Sequence, residues 1–404
     1  MSTVTSSLNK WQRKKLCSLL NHANLSLLFK ASVHGFNATT FHQKCNTQGP
    51  TVIVAYNKSG YVFGAFTSKS YAQTGQNVVD SKAFLFSFND KEMKEDPLRV
   101  KMHGNDLQLT ECEVYRVEDC EGLMEKPWRN VQWNSERRQA LLSTISGWKP
   151  SVSSVKQARF LLVGPVGAGK SSFFNSINSA FKGYVSMQAN TGTAGTSLTT
   201  QFRTYYIKPS NNVTHIPFIL CDTMGLEDGV NTGLDVDDFA TILKGHIQDK
   251  YQFNPMMPIQ PDSPHFHKSP GLKDKIHCVV YVIDISKVKL LSDKTIEKFV
   301  VFRKKANQLG VPQLVLLTKV DEACPLVAED LKNVYQSHYI NQMMQEISSQ
   351  LGVSLSAVVP VKNYYQELEI DHQTDILLLN AVVQMLRAAE GYFDDFYNPE
   401  ERSE

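Results

Sequence analysis

The sequence predicts an α/β protein: a doubly wound, mainly parallel sheet, preceded by a smaller α+β or β-sandwich domain. Three observations predict it. From Ala158 onward, apolar strand-like runs alternate with helix-like stretches. A glycine-rich loop joins the first of those strands to the first of those helices, which is the connection a phosphate loop requires. The first third of the chain has another grammar, with short β-rich runs and a hairpin signal.

Taken in order, Lys10-Trp-Gln-Arg-Lys-Lys15 lies in a short amphipathic pattern, read as a solvated helix face. Residues 39–45 suit a short helix. Residues 51–56 and 61–67 are strands joined by Asn57-Lys-Ser-Gly60, and 83–88 and 107–117 supply more strands. A helical patch at 135–146 forms a linker, where Trp128, Trp133 and Trp148 are expected to pack one domain against the other. The second domain then offers strands at 158–163, 201–207, 217–221, 276–284, 313–318 and 357–361. Helices are expected at 171–181, 236–247, 291–308, 326–351 and 375–389. Alternation of this kind buries the strands and places ligands at their carboxyl edge. Residues 248–274 carry five prolines, at 255, 258, 261, 264 and 270, and read as a long mobile loop. The expected division is 1–125, a linker at 126–155, a second domain at 156–392 and a tail at 393–404.

Chemistry concentrates in that second domain. Gly164, Pro165, Val166, Gly167, Ala168, Gly169, Lys170 and Ser171 spell G-x-x-x-x-G-K-S, followed by Ser172. Such a loop curls so that successive amides and a helix N-terminus face one concavity, a seat for polyphosphate. Lys170 would reach the β and γ phosphates and the Ser171 hydroxyl a Mg2+ ion. The apolar run 217–221 ends in Asp222-Thr-Met-Gly225, where Asp222 would hold Mg2+ through water and the Gly225 amide would touch the γ-phosphate. A third run, 313–317, leads into Thr318-Lys319-Val-Asp321. A carboxylate there accepts two hydrogen bonds from the ring N–H and amine of guanine, a pair adenine lacks, so GTP or GDP is expected.

Three such loops in this order resemble the GTP-binding domains of the translation-factor class, a P-loop GTPase-like fold. That resemblance implies two further landmarks. A switch threonine falls among Thr191, Thr193, Thr196, Thr199 and Thr200, and the sequence leaves the choice open. A backbone amide facing the guanine oxygen falls at Val361 or Lys362. One position departs from the Ras-like pattern: Leu226 and Glu227 stand where a water-positioning glutamine is usual. Leucine cannot orient water. Hydrolysis would draw on Glu227, on a threonine such as Thr196 or Thr199, or on a partner's group, so slow or partner-dependent turnover is expected.

Composition narrows the class. The 404 residues, 42% apolar, support two domains with real cores, and a net charge of +2 makes no case for nucleic acid. No apolar run reaches membrane-spanning length and the N-terminus lacks a signal peptide's hydrophobic region, so a cytoplasmic protein is expected. Seven cysteines without C-x-x-C spacing fit a reducing compartment. His265 and His267, which flank Phe266, read as loop histidines rather than metal ligands.

The run SLLFKASVHGFNATTFHQKCNTQGPTVIVAYNKSGYVFGAFTS, followed by FLFSF, resembles the start of a TLDc domain, with the later part shortened. That family is associated with oxidation resistance and, in several members, with binding the vacuolar proton pump. Together with GPVGAGKSSFFNS, PFILCDTMGL, KGHIQDKYQFNP, LKDKIHCVVYVIDI and LVLLTKVD, the whole chain is similar to the interferon-induced protein 44 family, in particular its 44-like branch. The resemblance implies a cytoplasmic, interferon-inducible GTP-binding protein with protein partners, links to antiviral defence and restrained proliferation, and scope for self-association across bound nucleotide. A non-hydrolysing scaffold acting through its TLDc-like half is the alternative.

Overall fold

The computed structural model describes residues 5–20, 23–72, 78–88, the backbone of 93–95, 106, 108–118, 122–189, 200–207, 216–227, 232–254 and 256–396. These form two compact units: residues 3–122 with 324–329, and 123–323 with 330–404. It is a mixed α/β architecture with two six-stranded sheets. Among the described residues no helix is long and apolar enough to cross a membrane.

The first unit opens with α1 (Lys10–Leu19). Asn9 caps it reciprocally: its Oδ1 accepts from the Gln12 amide at 2.8 Å, while the Gln12 side chain accepts from the Asn9 amide at 3.0 Å. Then follow β1 (Asn24–Lys30), α2 (Ala31–His34), α3 (Ala38–Cys45), β2 (Thr51–Asn57), β3 (Val62–Thr67), β4 (Phe84–Phe88), β5 (Met93–Glu95) and β6 (Leu109–Glu118). The strands run β1-β6-β2-β3-β4-β5, antiparallel throughout. Period-two alternation splits the core. Leu16, Leu25, Val52, Val54, Phe86 and Tyr115 fill one cluster, while Phe29, Cys45 and Val114 form another beneath Phe41 and Tyr71. A single sheet with helices settles the sequence's two alternatives in favour of α+β over a sandwich.

The second unit begins with α4 (Ser135–Gly147). Trp128 meets Tyr335 edge-on at 5.9 Å between centroids, Trp133 lies tilted over the same ring at 6.1 Å, and Trp148 lies 6.4 Å from Phe393 and donates to Glu390 at 2.5 Å. The three tryptophans expected to pack one domain against the other thus have these partners within the second unit itself. In chain order come β7 (Ala158–Val163), α5 (Lys170–Lys182), β8 (Arg203–Tyr206), β9 (Phe218–Asp222), α6 (Val236–Leu243), β10 (Cys278–Asp284), α7 (Asp293–Gln308) and β11 (Gln313–Thr318). After them come α8 (Val320–Ala323), α10 (His338–Leu351), β12 (Val358–Pro360) and α11 (His372–Asp394), while α9 (Pro325–Glu329), between α8 and α10 in the chain, belongs to the first unit. The sheet order is β12-β11-β10-β7-β9-β8, every pair parallel except β8 with β9. Parallel pairing brings the carboxyl ends of β7, β9, β10, β11 and β12 to one edge.

Three expectations change. The helix expected over 326–351 is interrupted, because Asp330 is extended and its carboxylate accepts from the Lys332 amide at 3.0 Å, while Ser337 caps α10 by accepting from the Ile340 amide at 3.2 Å. Short polar side chains that bond nearby amides offer the backbone an alternative to continuing a helix. Residues 248–274 are tied down rather than a loose loop. Ile247 pairs with Phe266, the Gln248 amide donates to His265 O at 3.1 Å, and His267 N donates to His246 O at 2.7 Å. That pairing also ends α6 at Leu243, short of the expected 247. Asp238, buried in α6, accepts from the Ile259 amide at 2.8 Å, and burial pushes its carboxyl up to about 6.

Two buried polar clusters hold this unit. His277, fully buried, accepts from the Arg159 amide at 2.9 Å through Nδ1, leaving Nε2 to donate to Leu272 O at 2.9 Å. The ring is therefore neutral, and burial lowers its pKa to about 4. A depressed histidine stabilises the fold fully above its unfolded value near 6.5 and loses that contribution as pH falls toward 4, about 3 kcal/mol in all. Denaturant unfolding between pH 7 and 4 is expected to show this loss in the wild type and a shallower one in His277→Gln. Asp375, also fully buried, accepts from Arg138 Nε at 2.6 Å and the Tyr364 hydroxyl at 2.7 Å. Asp375→Ala strands the guanidinium and is expected to cost about 3–5 kcal/mol in unfolding free energy, most of it recovered in the double variant Arg138→Met, Asp375→Leu.

Candidate functional site

At the shared edge, β7 delivers Gly164 and the loop closes at Gly169, which adopts φ 96° immediately before α5. A Cβ there would also meet Asn363 Nδ2 at 2.9 Å, so the turn into the helix admits only glycine without strain. Lys170, the first residue of α5, is 7% exposed and folds back so that Nζ donates to Gly164 O at 2.8 Å and Pro165 O at 3.1 Å. Burial lowers its pKa, and the Asp222 carboxylate only partly offsets this. An ammonium buried against carbonyl oxygens at a helix N-terminus has gathered positive potential around a cradle of backbone amides. Ser172 lies in the first turn of the same helix and its carbonyl accepts from the Ser176 hydroxyl at 2.7 Å.

Asp222, wholly buried at the tip of β9, accepts from Ser171 Oγ at 2.6 Å and from the Thr223 amide at 2.9 Å. A hydroxyl and a carboxylate so close, beside a cradle for anions, suit Mg2+, which takes few protein ligands and leaves its other positions to phosphate and water. Among the described residues no group of three or more His, Cys, Asp or Glu side chains is placed to hold a metal without such help, His265 and His267 included. Beyond Asp222 the chain runs alongside the phosphate loop. Leu226 N donates to Gly164 O at 3.0 Å and Leu226 pairs with Pro165. Gly225 passes so close that a Cβ would lie 2.6 Å from Val166 Cγ2. Leu226 is buried, so the position after Gly225 is a packing position. Glu227 offers its carbonyl to the Lys298 ammonium, which also reaches Thr232 O at 3.3 Å.

Two loops from the neighbouring strands brace this cradle. Thr318, fully buried, donates from Oγ1 to Ala168 O at 2.6 Å. Lys319 has φ 61° and pairs with Asp284 Oδ2 at 2.7 Å. Burial pulls its pKa down, but Asp284 more than offsets this and the net shift is upward. Asp284 is 4% exposed, and its carboxyl is held low by Lys319 and Lys287 against the effect of burial. Asp321 lies on α8, two residues beyond Lys319; burial pulls the Lys362 pKa down, but Glu367, with a smaller contribution from Asp321, more than offsets this. Lys362 is paired with Glu367 at 2.9 Å. Glu367 also accepts from the Tyr365 and Gln366 amides at 2.8 and 3.0 Å, tying the loop to itself. Of the two amides expected to face a base, that of Val361 is already spent on Leu317 O at 2.7 Å, because residue 361 continues the pairing of β12 with β11. That leaves Lys362.

The structure thus gathers the 164–172 loop, Asp222, Gly225, Thr318, Lys319, Asp321 and Lys362 at one edge. Thr196 and Thr199, with Thr191 and Thr193, lie outside the described residues. The segments flanking them are anchored: Asn175 Oδ1 accepts from the Gln188 and Ala189 amides at 2.9 Å each, and Thr200 O accepts from the Phe253 amide at 3.1 Å. Sequence reasoning missed Asp284, Asn363 and Glu367. An aspartate closing a buried strand was the available signal for the first; nothing local marked the others.

Comparison with known proteins places the chain. The TLDc domain family matches residues 2–117. A human protein named "Interferon-induced protein 44-like" is 35% identical over 436 residues, 97% of this chain and 96% of that one. Human "Interferon-induced protein 44" is also 35% identical, over 425 residues, 95% and 94% of the two chains. A solved structure described as a complex of SsGBP with GDP aligns with 63% of this chain and 57% of its own at 17% identity and a TM-score of 0.31, too low to carry an inference. With a third of positions identical across nearly the full length of both human proteins, this chain belongs to the interferon-induced protein 44 family.

Proposed function

We propose that the second unit is a P-loop GTPase-like domain that binds GTP or GDP with Mg2+ and acts as a nucleotide-dependent switch with slow turnover. The helices support a doubly wound reading: α11 packs on α4, α5, β7 and β10, while α6 and α10 pack on α7. The observation that carries the proposal is Lys170, a buried ammonium that donates to the Gly164 and Pro165 carbonyls of its own loop. Such a charge is costly unless an anion joins it. In this reading Lys170 and the loop amides bind the phosphates, and Ser171 and Asp222 hold Mg2+, the latter through water. Mg2+ held there would supply neutralisation of phosphate charge. Asp321 accepts from guanine N–H groups and the Lys362 amide faces its oxygen.

Leu226 favours a second reading, a scaffold that holds nucleotide without hydrolysing it and works through the TLDc-like unit, because a buried leucine occupies the usual water-positioning place. Titration calorimetry with GTP and ATP tests nucleotide choice. Multiple-turnover phosphate release, with light scattering in GDP and GTP, separates switch from scaffold; identical behaviour in both nucleotides removes the switch. Interferon induction, an antiviral role and cytoplasmic residence are carried over from the family's name and resemblance as part of this proposal.

A further inference from the structure

Asn363 closes the run Pro360-Val361-Lys362-Asn363, in which the sequence assigned it no role, yet it reaches the glycine-rich loop. Its Nδ2 donates to Gly169 O at 3.2 Å, one residue before Lys170. Thr318 Oγ1 holds the preceding carbonyl, that of Ala168, at 2.6 Å. The last two peptide groups before α5 are therefore each gripped by one of the two base-side loops. The Asn363 loop is itself fixed: the Tyr364 amide donates to Ser176 Oγ on α5 at 2.9 Å, and Glu367 ties Lys362 and two amides together. The carboxamide's orientation follows from its partner, since only nitrogen can face the Gly169 carbonyl. Its Oδ1 is then buried and without a hydrogen-bond partner among the described residues. Buried acceptors are seldom left so, and a bound ligand or a water it orders completes the set.

We infer that Asn363 is a specificity-determining positioning residue: it fixes the distance between the phosphate seat and the guanine-reading loops. The inference rests on the guanine-nucleotide reading above. With the phosphates anchored at Lys170, a purine reaches Asp321 and the Lys362 amide together only if the two loops keep one spacing. Thr318 sets that spacing for the Asp321 loop and Asn363 for the Lys362 loop. Loss of one polar contact that orients the base is expected to weaken GTP about tenfold. A ligand that makes no base contact is indifferent to it.

The test is titration of the full-length wild type, Asn363→Ala and the near-isosteric, uncharged Asn363→Leu with GTP, ATP and inorganic tripolyphosphate, each with Mg2+. Thermal unfolding is recorded in parallel, and Asn363→Leu serves where the alanine variant does not fold. In both variants GTP affinity is expected to fall about tenfold or more, while ATP and tripolyphosphate change less than twofold, so that discrimination between bases narrows. Equal losses for all three ligands would reduce Asn363 to support of the phosphate loop and overturn the inference, as would unchanged GTP affinity. A wild type that binds GTP no better than ATP defeats the guanine reading itself, an outcome visible before any variant is made.

Discussion

Lys170→Ala abolishes tight GTP binding, with an expected loss of at least a hundredfold in titration calorimetry, and does so without unfolding the protein. Two terms set the size. In the proposed reading the ammonium would supply charge-assisted hydrogen bonds to phosphate oxygens, about twice as strong as neutral ones. It does so from a buried position, where little water screens the charge. The same burial gives the prediction its second half. In the unliganded protein Lys170 is desolvated and its pKa is depressed, so the fold carries a cost there that only an anion offsets. Lys170→Met, which keeps the apolar stem, is therefore expected to unfold at a temperature equal to or above that of the wild type in the absence of nucleotide. A variant that lost stability and nucleotide together would point to a structural lysine. Retention of GTP affinity would remove the phosphate assignment.

Asp321→Asn is expected to exchange one base for another. A carboxylate accepts from both the ring N–H and the amine of guanine, whereas asparagine offers one acceptor and one donor. Xanthine presents an oxygen where guanine has the amine, so the asparagine pair suits it. Hydrogen bonds to a charged group contribute about 1.5–3 kcal/mol each, so GTP affinity should fall ten- to a hundredfold, with XTP bound better than by the wild type. Lys319 and Lys362 lose one carboxylate neighbour but keep Asp284 and Glu367, so the loops hold their places. Competition between GTP and XTP for wild type and variant reads this directly. An unchanged base preference would show that Asp321 does not read the base.

Much of this was legible in one dimension because local chemistry dictates it. The phosphate loop needs glycines, a lysine and a hydroxyl in consecutive positions, and strand–loop–helix patterning places it. Asp222 and Thr318 close runs of apolar residues, and both ends fall where those strands stop. The first unit's hairpin was visible in Asn57-Lys-Ser-Gly60. Less visible was anything set by partners far along the chain. The tryptophans of the linker gave no sign that Tyr335 and Phe393 would receive them. Prolines in 248–274 argued for looseness, whereas backbone pairing with 246–248 holds that stretch. Val361 seemed as good a donor as Lys362 until sheet pairing took its amide.

By itself, the sequence determined the local chemistry of the proposed site: which loops carry the glycines, lysine, hydroxyl and carboxylates, and that each follows a buried strand. Glycine, lysine and aspartate in those spacings are constrained by the local geometry of the backbone, which needs no distant partner. Only the tertiary structure decided which groups remain to act. The parallel sheet brings β7, β9, β10, β11 and β12 to one edge, spends the Val361 amide, pairs Lys319 with Asp284 and sets Asn363 beneath Gly169. Such contacts join residues as many as 194 positions apart, and a hydrogen bond across that span leaves no periodic trace in the chain.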